Sequence, residues 1–312
     1  MAVGAGFPGP VQSPGHARRR PAHVLGRAWA RLAGQNGNGA VTIPPRPPPA
    51  ATDPAPARAV QTAMPTAAPA APPLADAVAR VRERIAAAAA RAGRPADGVT
   101  LVAVTKTRPI ETVRAAVAAG LTDFGENRVA ELVEKSDALP GEAMTARTGA
   151  ADAGEGAVRW HLVGSLQRNK ARDAAARADL FHALDSVRLA DALDRRAGQA
   201  GRVLPVLVQV NVSGEDAKGG VAPDAAHDLL AYAAGLPHLR PVGVMGMAAF
   251  AEDRRDLERH VRPAFRRLRG VFDTWGGAAL SVVSMGMSGD FEVAVEEGAT
   301  HVRVGTALFG PR

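Results

Sequence analysis

Between residues 74 and 312, short apolar segments alternate with longer segments whose apolar residues recur at helical spacing. The segment 74–92 is rich in Ala, and its larger apolar side chains fall on one helical face, so it predicts an amphipathic helix. The segment 99–105 predicts a buried strand, because it is short, rich in β-branched residues and uninterrupted by charge. The same strand-then-helix pattern then repeats to the end of the chain.

The repeated pattern predicts eight strands in all. We place the strands at 99–105, 122–124, 159–163, 180–184, 203–210, 241–245, 281–284 and 301–304, of which 203–210 is the longest. We place the intervening helices at 110–119, 128–136, 167–176, 187–200, 223–234, 254–275 and 288–297. Residues 140–157 are rich in Gly, Ala and Thr and predict a mobile insertion.

Alternating strands and helices imply a parallel sheet, and eight such units in about 250 residues fit a (β/α)8 TIM-type barrel. We therefore predict an α/β fold in which residues 74–312 form a single-domain barrel. A doubly wound open sheet is the alternative. The dinucleotide-binding version of that sheet is disfavoured, since no GxGxxG motif follows the first strand.

Residues 1–73 differ sharply in composition from the rest of the chain. They hold 15 of the 24 prolines, and such a segment buries little apolar surface, so we predict a disordered extension. A translation start at Met64 is an alternative. An organelle transit peptide is another, because the run 18–20 is Arg-Arg-Arg and the stretch is poor in acids. A secretory signal is disfavoured, since no apolar core follows the arginines.

Charge and cysteine content exclude several function classes. Residues 1–63 carry seven Arg and one acid, Asp53, and so hold +6 of the formal net charge of +7. The predicted barrel is close to neutral, and we expect no nucleic-acid partner. The absence of Cys excludes thiol catalysis and Cys-ligated zinc, and the scattered His residues predict no metal site. No apolar run reaches about 18 residues, so we expect no membrane span and a cytoplasmic protein.

A barrel of this class carries its site at the carboxyl ends of its strands, and Lys106 ends the first one. The chain has 34 Arg but only four Lys, so lysine is scarce wherever a surface cation would suffice. An amine can be made nucleophilic and can form a Schiff base with an aldehyde, which a guanidinium cannot do. The alternative is an ordinary lysine at a strand end.

The ends of strands seven and eight predict an anion site. The Gly-rich segment 284–289 carries two hydroxyls, and Gly305-Thr306 follows the last strand. Backbone N–H groups and hydroxyls in such loops suit a phosphate dianion, although plain turn chemistry, with Ser288 as a helix N-cap, is the alternative. A reactive lysine beside a phosphate site points to a phosphorylated carbonyl compound. Pyridoxal 5′-phosphate (PLP) is the leading candidate, and the substrate of a phosphosugar aldolase is the other.

At these residues the sequence resembles the pyridoxal phosphate homeostasis protein family, the single-barrel relatives of the alanine racemase N-terminal domain. The resemblance spans roughly residues 74–312 and rests on six segments in the order in which the family has them. They are LVAVTK at 101–106, FGENR at 124–128, WHLVGSLQRNK at 160–170, QVNVSGE at 209–215, SMGMSGD at 284–290 and VRVGT at 302–306. The sequence departs from the family at Ser165, often His there, at Gly219-Gly220, where a larger residue is common, and in a longer 140–157 stretch.

The resemblance implies roles for individual residues. Lys106 would hold PLP as a Schiff base, and Arg303 would face the pyridine nitrogen. The phosphate would be bound by Ser284, Gly305 and Thr306, with backbone from Met285, while Asn127 and His161 would lie near the cofactor. A monomer that exchanges PLP with apo PLP-dependent enzymes is the implied cellular role.

The residues favour a PLP carrier over the alternative, a racemase of the alanine racemase type. A cation such as Arg303 beside the pyridine nitrogen disfavours its protonation and makes the ring a poor electron sink, which is compatible with racemases that limit side reactions and with non-catalytic binding. The only Tyr of the chain, Tyr232, is predicted to lie in a helix away from the site, and His161 is a candidate base whose alternative is a hydrogen-bonded barrel histidine. Lys218, in the loop after strand five, is a candidate for transient PLP binding or a solvated loop lysine.

Overall fold

The computed structural model describes residues 73–141, 158–275 and 280–311. The expectations of a disordered extension at 1–73 and of a mobile insertion at 140–157 fall almost entirely outside these ranges. Everything below concerns the described residues alone. None of the helices in these ranges is long and apolar enough to cross a bilayer.

The predicted barrel is confirmed: eight parallel strands pair in sequence order, and the last strand pairs with the first. Residue pairs such as Thr100↔His301 and Val102↔Arg303 close the barrel. The strands are β1 Thr100–Val104, β2 Asp123–Glu126, β3 Arg159–Leu162, β4 Leu180–Leu184, β5 Leu204–Val210, β6 Leu239–Gly246, β7 Val282–Ser284 and β8 His301–Val304.

Helices surround the barrel. They are α1 Leu74–Arg91, α2 Ile110–Ala118, α3 Val129–Ala138, α4 Ala171–Arg177, α5 Val187–Gln199, α6 Ala226–Ala234, α7 Arg262–Trp275, α8 Phe291–Glu296 and α9 Thr306–Phe309. Short 3-10 turns at Arg168–Lys170, Asp216–Lys218 and Pro223–Ala225 precede or connect some of them. A helical turn at Arg254–Asp256 and a π-helical turn at Leu257–Val261 lead into α7.

The core lies between the barrel wall and the helices, where the hydrophobic pattern of each helix meets the sheet. In α5, Leu189, Leu193 and Ala197 recur every four residues and are buried. Burial of a leucine side chain contributes about 1.5–3 kcal/mol, so this stripe fixes which face of α5 meets the sheet. In β4, every residue is buried, as expected for a parallel strand covered on both sides.

Several element boundaries differ from those predicted, and the clearest cases are the longest strand and the helix before the last strand. The longest strand is β6, Leu239–Gly246, rather than the strand at 203–210. We placed the start of this strand at Pro241, but the ladder extends past it to Leu239, and the pairing with β5 shifts register between Val206 and Leu207. The helix predicted at 288–297 begins only at Phe291, with Asp290 at its N-cap. Ser288 is therefore free of the capping role and serves another, described below.

Gly243 of β6 leads to a test of the barrel packing. A Cβ atom at this position would lie 1.8 Å from the carbonyl oxygen of Val282 in β7, so only glycine lets the two strands pair here. We predict that Gly243→Ala lowers the free energy of unfolding by about 1–3 kcal/mol or more, as overpacking does. Urea denaturation followed by circular dichroism measures the change.

Gly270→Ala is the matched control. Gly270 lies in α7, and a Cβ atom there would meet nothing within 4 Å. Alanine in a helix interior is favoured over glycine, so we expect a gain of about 0.5–1 kcal/mol. Equal effects of the two substitutions would contradict the close approach of β6 and β7.

Candidate functional site

The carboxyl end of β1 leads into a turn that carries Lys106, which lies two residues beyond the strand and is half-buried. Phe124 and Trp160 face the helix layer, since the Trp160 indole N–H donates to the Leu139 carbonyl at 2.9 Å just after α3. Their alternate neighbours, such as Gly125, therefore face the barrel interior, and Val104, which pairs with Gly125, shares that face. Lys106 lies two residues beyond Val104, in the turn at this mouth of the barrel.

Beside this lysine, two backbone donors converge on one hydroxyl. The N–H groups of Gly305 and Ala307 both donate to the Ser288 Oγ atom at 3.2 Å. Gly305 also lies against β1, because a Cβ atom there would be 3.3 Å from the Val104 carbonyl oxygen. The exposed Thr306 lies between the two donors. This cluster of donors, on β8 and the loop after β7, adjoins the strand that leads to Lys106.

The loop that brings Ser288 to these donors depends on Gly286. Its φ of +92° lies in the region that favours glycine. A Cβ atom there would also lie 2.5 Å from the Ala294 Cβ atom in α8. Glycine is thus required for both the backbone turn and the close packing of α8, and the turn places the Ser288 hydroxyl over β8.

Ser284 and Met285, which we predicted as phosphate ligands, already have other partners. The Ser284 hydroxyl is fully buried and lies 2.6 Å from the Arg303 Nη1 atom, which donates to it. The Met285 N–H donates to the His301 carbonyl at 3.1 Å and so belongs to the pairing of β7 with β8. Ser284, Met285, Gly305 and Thr306 remain predicted phosphate ligands, and the structure adds Ser288 and Ala307 as candidates beside them.

Arg303 is a buried cation inside the barrel mouth. Besides the Ser284 hydroxyl, its guanidinium donates to the Gly246 carbonyl at 3.1 Å, at the end of β6. Burial lowers the pKa of Arg303 to about 10, against the opposing charge of Asp290. The guanidinium therefore stays protonated at neutral pH and is held in one orientation by β6 and β7.

A chain of buried hydrogen bonds runs from Arg303 across the barrel interior. Ser284 Oγ lies 3.0 Å from His182 Nδ1, and His182 Nε2 lies 2.9 Å from His161 Nδ1. His161 Nε2 lies 3.0 Å from a carboxylate oxygen of Asp123, at the amino end of β2. Arg159 closes the chain with two hydrogen bonds to the same carboxylate, at 2.8 and 2.7 Å.

One arrangement of protons gives every member of this chain a partner. Burial lowers the pKa of His182 well below its usual value, so this ring is neutral and carries one N–H. If Ser284 donates to His182, His182 donates to His161, and His161 donates to Asp123, every member of the chain has a partner. The chain thereby links the buried cation at the mouth to a buried carboxylate at the opposite end of the barrel.

His161 is thus a hydrogen-bonded barrel histidine. It is only 2% exposed, and both of its ring nitrogens have protein partners. Its place near the cofactor stays a prediction, whereas its two engaged nitrogens disfavour a role as a free base. Asn127 lies where the sequence places it, exposed in the loop after β2. Asp123 and His182 were missed by the sequence analysis, because single polar residues in apolar strands carry no signal of their partners.

Lys218 also has partners. Its ammonium group donates to a Glu215 carboxylate oxygen and to the Ala248 carbonyl, both at 2.7 Å. The contact to Ala248 ties the loop after β5 to the loop after β6. Lys218 is therefore a partly buried lysine with a structural role, rather than a solvated one.

Asp123 provides a test of the interior chain. Although burial alone would raise its pKa, the hydrogen bonds from His161 and Arg159 lower that pKa well below the usual range. A depressed pKa stabilises the fold above the unfolded pKa of about 3.9, and this stabilisation is lost as the pH falls below it. We predict that Asp123→Asn costs about 2 kcal/mol at pH 7 and makes stability less sensitive to acid between about pH 5 and 3.

Urea denaturation at pH 7, 5, 4 and 3 measures both effects. Asp137→Asn is the control, because Asp137 pairs with Arg177 at the surface and its side chain is 50% exposed. If Asp123→Asn and Asp137→Asn have the same pH profile, Asp123 does not anchor the chain.

Comparisons with known proteins agree with this architecture. Residues 77–312 match the family described as "Alanine racemase, N-terminal domain". The pyridoxal phosphate homeostasis protein of Aquifex aeolicus is 41% identical over 236 residues, which cover 75% of this chain and 96% of the relative. That of Pseudomonas aeruginosa is 39% identical over 233 residues, which cover 75% and 93%.

Solved structures give the same result. PipY of Synechococcus elongatus, solved with PLP bound, superposes with a TM-score of 0.60 at 33% identity and covers 76% of this chain and all of PipY. Alanine racemase of Corynebacterium glutamicum has a TM-score of 0.54 at 18% identity, covers 76% of this chain and 62% of that one, and so shares the fold alone. With the closed barrel and the strand-end motifs in place, the chain belongs to the pyridoxal phosphate homeostasis protein family.

Proposed function

We propose that this protein binds PLP on Lys106 and serves PLP homeostasis by storing, buffering or delivering the cofactor. The observation that carries the proposal is the convergence of Lys106, the donors around Ser288 and the buried Arg303 on the ends of three adjacent strands, β7, β8 and β1. The names of the relatives and the PLP-bound state of PipY support it. Exchange with apo PLP-dependent enzymes and a monomeric state are the parts of the proposal that come from the sequence alone.

The donor chemistry fits the three functional groups of PLP. When bound, PLP supplies an aldehyde that condenses with a primary amine and a pyridine ring that can accept electrons. Lys106 provides the amine. The Ser288 hydroxyl, which accepts hydrogen bonds from the N–H groups of Gly305 and Ala307, provides its own O–H as a neutral donor for a phosphate. Thr306 lies between the two N–H groups and adds a second hydroxyl, and Arg303 provides the cation for the ring end.

The same residues argue against robust catalysis. Arg303 carries a positive charge at neutral pH, and a cation beside the ring nitrogen keeps that nitrogen unprotonated and the ring a poor electron sink. A two-base racemase also needs a second base at the mouth. Tyr232 lies on the outer helix α6 and donates to Asp191 of α5 at 2.6 Å, and both nitrogens of His161 are engaged.

Replacement of Lys106 tests the proposal. We expect the wild-type protein, reconstituted with PLP and freed of excess cofactor, to show a visible absorption band, and Lys106→Ala to show none because it lacks the amine. Lys170→Ala is the control, since Lys170 is an exposed lysine in a short turn. It should keep the full band.

Two outcomes would overturn the proposal. A wild type that PLP does not convert to an absorbing form would point to a Schiff-base aldolase acting on a phosphosugar. Loss of the α-proton from amino acids incubated with the PLP-loaded protein in D₂O would establish the racemase alternative in place of a carrier.

The candidate phosphate site leads to a second test. Ser288→Ala should raise the dissociation constant for PLP about tenfold, since a hydrogen bond to a charged group contributes about 1.5–3 kcal/mol. It should leave the affinity for pyridoxal, which lacks the phosphate, unchanged. Ser284→Ala, which acts on Arg303, should affect both ligands to the same degree. Fluorescence titration of the wild type and both variants with each ligand measures the six affinities, and a phosphate-specific loss in Ser284→Ala would place the phosphate on Ser284.

A further inference from the structure

Lys106 lies in a tight turn with an unusual backbone. The Arg108 N–H donates to the Thr105 carbonyl at 2.9 Å, which closes a four-residue turn with Lys106 and Thr107 at its centre. Thr107 has a φ of +64°, and among the described residues no other non-glycine residue has a positive φ. Glycine or asparagine normally takes the third position of such a turn, and a β-branched residue there is strained.

Three side chains, those of Glu126, Glu131 and Lys135, fix this turn through hydrogen bonds. The Lys135 ammonium group donates to the Thr105 carbonyl at 2.7 Å, and the Thr105 hydroxyl donates to a Glu126 carboxylate oxygen at 2.5 Å. On the other side of Lys106, the Thr107 N–H donates to a Glu131 carboxylate oxygen at 2.5 Å. The backbone is therefore fixed on both sides of the lysine.

Lys135 and Glu126 form a buried ion pair. Their Nζ and Oε1 atoms are 2.6 Å apart, and the two side chains are 4% and 0% exposed. Both hydrogen bonds to Glu126 fall on Oε1, whereas Oε2 is buried and has no hydrogen-bond partner in the described part of the chain. Burial raises the pKa of Glu126, although Lys135 and Thr105 oppose that rise.

A buried ion pair of this kind contributes little to the stability of the fold by itself. Removal of two charges from water is costly, and well-packed apolar residues in the same place often give an equally stable or more stable fold. The unpartnered oxygen of Glu126 adds to that cost. The contacts that the pair does make are to Thr105, the residue before Lys106, so its effect is on the shape of the turn.

The pair does not itself reach into the barrel. Gly125 faces the barrel interior, and successive residues of a strand face opposite sides of the sheet. Glu126, the next residue of β2, therefore faces the helix layer. Lys135 and Glu131 belong to α3, one turn apart on the helix that packs outside β2 and β3. These three side chains therefore act on Lys106 only through the backbone.

We propose that Lys135, together with Glu126 and Glu131, is a positioning residue for Lys106. The three side chains hold the strained turn so that the lysine amine points into the barrel mouth before any ligand arrives. This rests on the proposed function, in which the amine adds to the aldehyde carbon, a C=N bond replaces the C=O bond, and the oxygen leaves as water. A loosened turn leaves the pocket intact but slows this bond formation.

Glu131→Ala is the first test, because alanine preserves helix α3 and releases the Thr107 N–H. The rate constant for the appearance of the Schiff-base absorption band after mixing with PLP should fall about tenfold to a hundredfold, as expected for a misplaced reacting group. The affinity for 4-deoxypyridoxine 5′-phosphate, which lacks the aldehyde, should stay within twofold of wild type. Glu134→Ala is the matched control, because Glu134 is exposed on the same helix. It should leave both quantities unchanged.

The double variant Glu126→Leu/Lys135→Met separates positioning from folding. We expect a cooperative urea transition at or above the wild-type midpoint together with the same slowed bond formation. Wild-type rates in Glu131→Ala, or in a folded double variant, would overturn the inference. A wild type that forms no Schiff base at all would instead overturn the proposed function, so the two failures are distinguishable.

Discussion

The pairing of β8 with β1 is the constraint on which the site depends. Residues far apart in the chain become neighbours only because the barrel closes through the register Val102↔Arg303 and Ala103↔Val304. That closure places Gly305 against the end of β1, one residue position from the turn that carries Lys106. A lysine from the first strand and phosphate donors from the last two strands can then bind the two ends of one small molecule. An open sheet with the same strands would leave them at opposite edges.

Closure also creates an interior in which charges must be compensated. Arg303 is buried at the mouth, and its hydrogen bonds lead through Ser284, His182 and His161 to the carboxylate of Asp123. Buried polar groups of this kind are stable only when each has a partner. The chain therefore holds the Arg303 guanidinium in place without a carboxylate hydrogen-bonded to it.

The sequence predicted the barrel because each unit carries its own signal. Buried strands such as 180–184 and amphipathic helices such as 187–200 are readable from local hydrophobic period alone. Lys106 could be singled out because its position follows from the fold class. The place of the Ser288 hydroxyl could not be predicted, since it depends on the turn at Gly286, which directs the Ser284 hydroxyl inward and the Ser288 hydroxyl toward β8. The role of Lys135 could not be predicted either. Its hydrogen-bond partners, Thr105 and Glu126, are distant in the sequence and lie beside it only in the folded structure.

The most direct test of this account is to find which lysine carries the cofactor. The protein is loaded with PLP, reduced with borohydride to fix the C=N bond, digested, and mapped by mass spectrometry. The account predicts a phosphopyridoxyl label on Lys106. A label on Lys135, Lys170 or Lys218 with Lys106 unmodified, or no label on any lysine, would contradict it.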